Sequence, residues 1–324
     1  MNARRHPMAI LLATIALAIG VGACSPSGGL GQVPSRAPTP APSVDQGEPD
    51  LTAAPSPSAS VPASADPSGL PIATAAPDAT TIVRVYFHLG GELGTEGLVP
   101  LLREVPETRA VATAAMHALL TGPTSTESGQ RQITSAVPAG SQLLGLRVEN
   151  GIATVDLSRE FESGGGSMSI FVRLGQVVYT LTQFPTVDSV LFEIEGQPVT
   201  IFSSEGIVLD GSIGRDAYAD QLSAIYVDRP AYGAALGNPA RITGSANTFE
   251  AMFMITLLDG AGTRIVETPA MATCGTGCRG TFDVTIPYSV PEAGWGTLRV
   301  WEASARDGSA QFVREYPVWL TPAP

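Results

Sequence analysis

The middle of the chain shows two kinds of hydrophobic pattern, one typical of strands and one typical of helices. Residues 82–87 alternate apolar and polar side chains, and so do residues 190–194, which predicts two half-buried strands. Residues 109–121 are rich in alanine and are closed by a Gly-Pro pair, which predicts a helix. Over residues 167–184 apolar side chains recur every three or four positions, which predicts a second helix that Ser167 can cap.

The sharpest local prediction is a β-hairpin over residues 143–157. Its centre, Asn150-Gly151, is the preferred pair for a type I′ turn, because both positions need a positive φ. On the outer face, Asp156 is expected to form a diagonal ion pair with Arg147. The turn fixes the register and places three apolar pairs on one face: Val148 with Ala153, Leu146 with Val155, and Leu144 with Leu157.

Together these elements predict an α+β domain of order β-α-β-β-α-β, with helices covering one side of a sheet. The segments Ala118–Pro123, Val155–Ser158 and Gln183–Val187 resemble the GerMN domain of spore-germination lipoproteins. The resemblance spans residues 81–210 and implies a fold similar to the ring-building domains of sporulation channels. It therefore implies a homo-oligomer, and it brings no catalytic residues with it.

From residue 224 to residue 321 only strands are predicted, at the spacing of a β-sandwich. Alternate residues from Phe249 to Leu257 are apolar and are expected to share one face of a strand. The clearest strand-like runs are residues 240–245, 249–258, 281–288, 297–303 and 312–320.

Short motifs in this second part carry a further resemblance. Ile242–Ala246, Gly280–Phe282 and Glu302–Ser304 are similar to the immunoglobulin-like domain that follows GerMN in bacterial lipoproteins. The resemblance implies an immunoglobulin-like sandwich after the α+β domain. A cysteine pair that spans the two sheets is absent from the sequence, which excludes an antibody-type disulfide.

The first 23 residues have the features of a bacterial export signal. Two arginines precede an apolar run over residues 8–21, which is too short for a membrane-spanning helix. The string Val21–Cys24 resembles the lipobox of bacterial lipoproteins, which implies cleavage before Cys24 and attachment of a diacylglyceryl group to its thiol. The expected location is extracytoplasmic, with the lipid holding the protein to the cell membrane. Twin-arginine export and an ordinary secreted protein are the alternatives.

Residues 24–80 are dominated by Pro, Ala and Ser and contain no aromatic side chain. Such a composition cannot bury enough apolar area to offset the entropy of ordering, which predicts a disordered tether. The expected organisation is therefore a signal peptide (1–23), a tether (24–80), an α+β domain (81–210), a linker (211–223) and a sandwich (224–321).

Charge narrows the classes of function. The 324 residues include 18 basic ones, all arginine, against 30 acidic ones, for a net charge of −12. The absence of lysine excludes a Walker phosphate loop and Schiff-base chemistry. Since an acidic chain binds phosphate backbones poorly, nucleic acid is not an expected partner.

Cys274 and Cys278 are expected to form a structural disulfide, with a metal-binding or free-thiol role as alternatives. They lie beside Gly275–Gly280, which matches the dinucleotide pattern G-x-G-x-x-G. A strand is predicted to follow instead of the helix that this pattern requires, so no cofactor is expected. His88 and His117 lack a second histidine at metal-ligand spacing, and no metal site is predicted.

Two further groups of residues have alternative interpretations. Asp156 and Glu160 are close enough in sequence to be considered as a glycosidase pair, although structural roles are favoured for both. Trp295, Trp301 and Trp319 are expected in the core of the sandwich. If two of them were exposed, they would instead form a carbohydrate or protein contact surface.

These features favour a non-enzymatic envelope protein that acts by binding. It would act through self-association of the α+β domain, or through recognition of an envelope protein or wall polymer by the sandwich. The alternative is a wall-polysaccharide hydrolase that uses Asp156 and Glu160. A third hypothesis, a sensor of a soluble ligand, predicts a deep apolar pocket between the domains. A link to sporulation or germination is implied by the family resemblance alone.

Overall fold

The computed structural model describes residues 79–323 of the chain. Cys24, the predicted signal segment and nearly all of the predicted tether lie outside this range. Within it, no helix has both the length and the apolar character needed to cross a membrane. The described residues belong to one compact unit, which contains an α+β domain followed by a β-sandwich.

The α+β domain contains two main sheets, of strand orders β2-β1-β3 and β4-β5-β6-β7, and a small two-stranded sheet, β8-β9. Its strands are β1 (Thr80–Leu89), β2 (Gly97–Pro106), β3 (Ile133–Thr134), β4 (Leu143–Glu149), β5 (Ile152–Leu157), β6 (Ser189–Ile194), β7 (Gln197–Pro198), β8 (Ile201–Phe202) and β9 (Ile207–Val208). Its α-helices are α1 (Val111–Thr121), α2 (Ser125–Arg131) and α3 (Ser167–Leu181).

The predicted α+β class is confirmed, but the single sheet expected from the sequence is divided into two. Strands β5 and β6 are parallel, and α3 forms the crossover between them. Helices α1 and α3 pack against each other and against β1. Helix α3 ends at Leu181, three residues before the predicted end at Phe184. Phe184 packs against the core from the loop that follows the helix.

Strand β2 is the longest element that the sequence pattern does not predict. It pairs with β1 along its whole length, from Thr80 opposite Pro106 to Leu89 opposite Gly97. Its first five residues are all buried, although Pro100 lies among them. A proline has no N–H to donate to a ladder, so a run that contains one is not recognised as a strand from its sequence. Such a strand is tolerated at a sheet edge, which is where β2 lies.

The β4–β5 hairpin confirms two of the three predicted apolar pairs. Asn150 and Gly151 have φ values of 52° and 81°, as the type I′ turn requires. The third predicted pair is wrong, because Leu157 lies opposite Leu143 and the register shifts before Gly145. This bulge adds one residue to β4 and turns Leu144 to solvent, where it is 51% exposed.

Two polar predictions on this domain are also wrong. Arg147 does not pair with Asp156; its guanidinium binds both carboxylate oxygens of Glu193 on β6, at 2.6 and 3.1 Å. The long arginine side chain reaches across β5, so the strand beyond it supplies the partner. Ser167 does not cap α3, because the N-cap position is Gly166 and the Ser167 hydroxyl donates to Glu205 at 2.9 Å.

The second domain is a sandwich of two sheets, of strand orders β10-β12-β15 and β11-β17-β16-β13-β14. The predicted sandwich is confirmed. Its strands are β10 (Ile225–Arg229), β11 (Ala235–Leu236), β12 (Ala240–Ala246), β13 (Met252–Leu258), β14 (Arg264–Met271), β15 (Gly280–Ile286), β16 (Gly294–Ala303) and β17 (Ala310–Leu320).

Phe249 departs from its predicted place. Phe253, Ile255 and Leu257 share the buried face of β13, as expected, but residues Phe249–Ala251 form a 3-10 turn before the strand. Glu250 and Ala251 have positive φ values of 52° and 61°, which break the alternation. The ring of Phe249 is consequently 49% exposed.

The predicted linker is ordered and packed. Residues Arg215–Gln221 form a 3-10 helix, and Tyr218 within it is only 3% exposed. Tyr218 lies against Gly175 of α3, where a Cβ would come within 3.4 Å of the tyrosine side chain. The linker is therefore part of the core that joins the domains.

The second domain is hydrogen-bonded directly to strand β2 and to the residues just before it. The backbone N–H of Tyr232, in the segment after β10, donates to the carbonyl of Pro100 at 2.9 Å, and Tyr232 forms a parallel bridge with Leu101. The N–H of Ala224 donates to Gly94 at 2.8 Å, just before β2 begins. The sandwich is thus hydrogen-bonded to the edge of the first sheet.

Candidate functional site

A cluster of aromatic and charged side chains, the junction cluster, is buried where the two domains meet. Asp228 on β10 accepts hydrogen bonds from the hydroxyls of Tyr86 on β1, at 2.7 Å, and of Tyr226 on β10, at 2.9 Å. The Cζ atom of Arg215 lies 4.7 Å from the ring centroid of Tyr179 on α3 and 5.5 Å from that of Tyr86. The three tyrosines are at most 4% exposed.

Electrostatics keep Asp228 ionised and the tyrosines neutral. Burial opposes ionisation of Asp228, but Arg84, the Tyr86 hydroxyl and Arg215 outweigh it, so the pKa of Asp228 is lowered. Burial, with the Asp228 charge as the second cause, raises the pKa of Tyr86 to about 12. Burial, followed by the effects of Tyr86 and Asp228, raises the pKa of Tyr226 as well. Over the whole neutral range the two hydroxyls donate and the carboxylate accepts, so the cluster holds the domains together.

A cleft of about 600 Å³ opens beside the junction cluster. Its lining combines apolar side chains, such as Leu222 and Phe282, with the hydroxyl of Thr243 and the guanidinium groups of Arg215 and Arg279. The Arg279 guanidinium donates to the carbonyl of Ser223 at 3.0 Å, which ties it to the linker backbone. The sensor hypothesis predicts a pocket between the domains, where this cleft lies, and it stays a prediction.

The outer face of the five-stranded sheet is built by strict alternation on β16 and β17. Leu298 and Val300 of β16 are fully buried, and so are Tyr316 and Val318 of β17. The residues between them consequently point outward, since successive side chains of a strand face opposite ways. The register sets these outward residues side by side: Trp295 beside Trp319, Thr297 beside Pro317, and Arg299 beside Glu315.

Trp295 and Trp319 form an exposed edge-to-face pair. Their ring centroids are 5.4 Å apart and their planes meet at 85°. Trp295 is 50% exposed and Trp319 is 37% exposed. Arg299 lies four residues along β16 from Trp295, about 13 Å away at the usual rise per residue. Its Nη2 atom lies 2.6 Å from Glu315 Oε1, and both side chains are more than a third exposed.

A groove of about 630 Å³, the outer-face groove, lies between Trp295 and the Arg299–Glu315 pair. Thr297 and Pro317 lie between these two walls and also line it. This volume is in the range of small-molecule sites in proteins. The groove therefore combines an aromatic wall, a charged wall and a floor of side chains from two central strands.

The ends of the outer-face groove come from two different parts of the molecule. One is the β13–β14 loop, in which Asp259 Oδ1 accepts from the N–H groups of Ala261 at 2.9 Å and Thr263 at 2.8 Å. The other is Arg131 at the end of α2, whose Cζ lies 5.7 Å from the Tyr232 ring centroid. Since Arg131 belongs to the α+β domain, the groove is complete only when the two domains are held together.

The prediction that the tryptophans lie in the core is wrong for two of the three. Trp295 and Trp319 are on the exposed face, and Trp301 is half-buried and donates to Thr256 at 3.1 Å. The alternation of residues 294–300 carried this information, because Trp295 has the same parity as Thr297 and Arg299. The junction cluster had no comparable local signal, since Tyr86 and Asp228 are 142 residues apart.

Cys274 and Cys278 form a disulfide with a Cα–Cα distance of 5.8 Å. The loop around them explains the glycine pattern: a Cβ at Gly275 would lie 2.2 Å from the Ala251 nitrogen, and a Cβ at Gly280 would lie 2.1 Å from that of Cys274. Strand β15 begins at Gly280, as predicted, so the helix that a dinucleotide site needs does not follow. These glycines allow close packing of the backbone.

Asp156 and Glu160 have separate surroundings. Asp156 Oδ1 accepts from the N–H of Gly196 at 2.9 Å, which holds the turn after β6. Glu160 is exposed, and a hydrogen bond from the Ser158 hydroxyl lowers its pKa. A glycosidase acid needs a raised pKa, so this environment gives the hydrolase hypothesis no support.

The two histidines also lie apart from the groove. Burial, followed by the charge of Arg314, lowers the pKa of His88. His117 is exposed on α1. Among residues 79–323 no group of three or more His, Cys, Asp or Glu side chains has the arrangement of a metal site.

Comparison with known families identifies both domains. Residues 84–200 match the Germane family, described as "Sporulation and spore germination". Residues 224–309 match the Gmad2 family, described as "Immunoglobulin-like domain of bacterial spore germination". The chain therefore contains a Germane (GerMN) domain followed by an immunoglobulin-like Gmad2 domain.

Two solved structures from Bacillus subtilis are similar to part of the chain. The first GerMN domain of the sporulation protein GerM is 22% identical, with 42% of this chain and 98% of that chain covered and a TM-score of 0.36. The tandem GerMN domains of GerM are 15% identical, with 64% and 62% covered and a TM-score of 0.37. No curated protein matches the sequence. The two family matches, and not these partial likenesses, identify the domains.

Proposed function

We propose that this protein is a non-enzymatic binding protein of the cell envelope, in which the sandwich recognises an envelope component through its outer face. The observation that carries the proposal is the exposed pair of Trp295 and Trp319. Exposed aromatic clusters rimmed by polar groups mark interaction sites, and tryptophan is enriched among the residues that dominate binding energy. The groove beside the pair gives a ligand a place to lie.

A lipid on Cys24 would hold this binding surface outside the cytoplasm, and residues 24–80 would act as the tether. The motif Val21–Cys24 supports this part of the proposal. Cys24→Ser is expected to move the protein from the membrane fraction to the soluble fraction. If the variant partitions as the unaltered protein does, the lipid anchor is wrong, while binding by the sandwich stands.

Site-specific crosslinking on whole cells tests the binding role. A photoreactive amino acid at Thr297, in the groove, is expected to capture one envelope component. The matched control is Thr285, an exposed threonine on β15 of the opposite sheet. Capture from both positions alike, or from neither, would refute recognition through the outer face.

Self-association through the Germane domain is a second candidate function, which the edge strand β4 favours. It is the first strand of its sheet, so its outer backbone groups are unpaired within the described residues. Leu144 is 51% exposed and Val148 is 38% exposed on this strand. An exposed edge with apolar side chains is a template for pairing with another chain.

Light scattering over a range of protein concentrations tests this second candidate. The full-length protein is expected to associate as concentration rises, and Val148→Lys is expected to abolish association by placing a charge on the edge. Ile82→Lys, at a residue that is 65% exposed on β1, is the control. A strict monomer at high concentration would end the self-association hypothesis.

The hydrolase alternative and the link to germination have their own tests. Turnover of wall polysaccharide that Asp156→Asn abolishes would overturn the non-enzymatic proposal. Participation in sporulation or germination is supported by the descriptions of the two families. Deleting the gene in its host and scoring spore formation and outgrowth would test it.

A further inference from the structure

We infer that the outer-face groove binds an uncharged saccharide chain, with one sugar ring stacked on Trp295. This inference deepens the proposed function and rests on it. A pyranose ring has one face of C–H groups and a rim of hydroxyls. The groove has the matching parts: an exposed indole on one wall, and on the other the planar guanidinium and carboxylate of Arg299 and Glu315.

The charges of the groove favour a neutral ligand. Arg131 and Arg299 are balanced by Asp259 and Glu315 among its lining residues. The chain as a whole carries a net charge of −12. A polyanion would meet a balanced groove on a negatively charged protein, and an uncharged chain of sugars would meet no such repulsion.

The position of the groove disfavours a peptide bound as an added strand. Trp295 and Thr297 lie on β16, which has a neighbour on each side, β13 and β17. Glu315 and Pro317, which also line the groove, lie on β17 between β16 and β11. Strand addition needs the free N–H and C=O groups of a sheet edge. Here side chains provide the contacts, as suits a hydroxyl-rich ligand.

The groove is also held in shape before any ligand binds. Asp259 fixes the rim loop through its two backbone hydrogen bonds. Gly296 lets β16 approach its neighbours, because a Cβ there would lie 2.5 Å from the carbonyl oxygen of Leu258. Arg131 is positioned by the domain junction. Rigid walls reduce the entropy that binding costs.

Affinity for two insoluble, uncharged polysaccharides tests the inference directly: chitin and cellulose. Purified full-length protein is expected to bind at least one of them, with little change between low and high salt, since no counterions are released. Trp295→Ala is expected to weaken binding at least tenfold, as the loss of a binding anchor would. Phe249→Ala, which removes an exposed ring outside the groove, is expected to leave binding unchanged.

Glu315→Gln is the second variant, because it keeps the size of the side chain and removes its charge. It is expected to weaken binding while the unfolding curve stays close to that of the unaltered protein. If Trp295→Ala and Glu315→Gln both bind as the unaltered protein does, the saccharide site is refuted. If no glycan binds but Thr297 still captures an envelope protein on cells, the saccharide inference is wrong and the proposed function survives. If nothing binds in either experiment, both are wrong.

Discussion

Two clusters of the same chemistry lie in opposite environments in this protein. The junction cluster combines Tyr86, Tyr226, Arg215 and Asp228, and its tyrosines are at most 4% exposed. The outer-face groove combines Trp295, which packs on Trp319, with Arg299 and Glu315, and Trp295 is half exposed. Each has aromatic rings, an arginine and a carboxylate. Burial alone separates a cluster that joins domains from one that is open to a ligand.

The physical reason is the cost of an unpaired polar group. In the junction, removing one partner would leave a desolvated charge or hydroxyl, so each member depends on the others. On the outer face, water satisfies whatever a substitution leaves free, and an exposed ion pair contributes little to stability. The junction is therefore expected to govern unfolding, and the groove to govern binding. Four experiments test this division.

The largest effect is expected from Asp228→Asn, which leaves Arg84 and Arg215 without their carboxylate. We expect a loss of about 2–3 kcal/mol in the free energy of unfolding, measured by urea denaturation. The matched control is Asp283→Asn. Asp283 also pairs with an arginine, Arg241, at 2.6 Å, but its side chain is 51% exposed. The control should lose much less stability, because solvent screens an exposed pair, and equal losses would contradict the comparison.

Extremes of pH should act on the junction next. The raised pKa of Tyr86, about 12, means that its contribution is complete below the ordinary tyrosine pKa of 10.0 and is lost as pH rises through the folded value. The contribution is on the order of 2 kcal/mol. Unfolding measured between neutral pH and about pH 12, together with tyrosinate absorbance, checks this.

On the acid side the sign reverses. The lowered pKa of Asp228 gives stability that is present above its ordinary value of 3.8 and is lost as pH falls through the folded value. Tyr86→Phe removes one of the hydroxyls with a raised pKa and should make the alkaline limb shallower. Since the Tyr86 hydroxyl also helps to lower the pKa of Asp228, the acid limb should become shallower as well. An alkaline limb unchanged in Tyr86→Phe would show that another group controls it.

Loss of the disulfide is expected to have a smaller effect. The loop closed by Cys274 and Cys278 is short, so Cys274→Ser combined with Cys278→Ser should cost about 1–2 kcal/mol. Part of the loss would reach the junction, because Arg279 follows the loop and donates to Ser223 of the linker. Mass analysis of unreduced, alkylated protein is the direct check. Two labelled thiols would show that the bond is absent from the isolated protein.

The smallest change in stability is expected from Trp295→Ala. The indole is 50% exposed and contacts mainly Trp319, so the free energy of unfolding should fall by less than about 1 kcal/mol. Urea denaturation measures this. A loss as large as that of Asp228→Asn would mean that the tryptophan pair has a structural role, and the division between the two clusters would fail.

Much of the local structure could be predicted from sequence. The α+β class, the sandwich, the Asn150-Gly151 turn and the Cys274–Cys278 bond are all present. Each rests on neighbouring residues: a period, a turn pair or two close cysteines. The predictions failed where pairing with residues distant in sequence decided the structure. Arg147 reached Glu193 on a strand that is distant in sequence, and β2 was hidden by Pro100.

The candidate groove could be predicted only in part from the sequence. The parity of Trp295, Thr297 and Arg299 on one strand follows from alternation. Which face of that strand meets the core depends on the second sheet, and the pairing of Trp295 with Trp319 depends on the register between β16 and β17. Arg131 could not be placed at the groove from sequence, since it comes from the other domain.

By itself, the amino-acid sequence determined the periods, turns and charges of this protein, because these depend on residues a few positions apart. Only the tertiary structure decided which aromatic residues were buried with Asp228 and which remained beside Glu315 in solvent. That choice depends on how the sheets, the helices and the linker of the two domains pack around one core. Desolvation acts on three-dimensional neighbours, and two of those neighbours, Tyr86 and Asp228, are 142 residues apart in the chain.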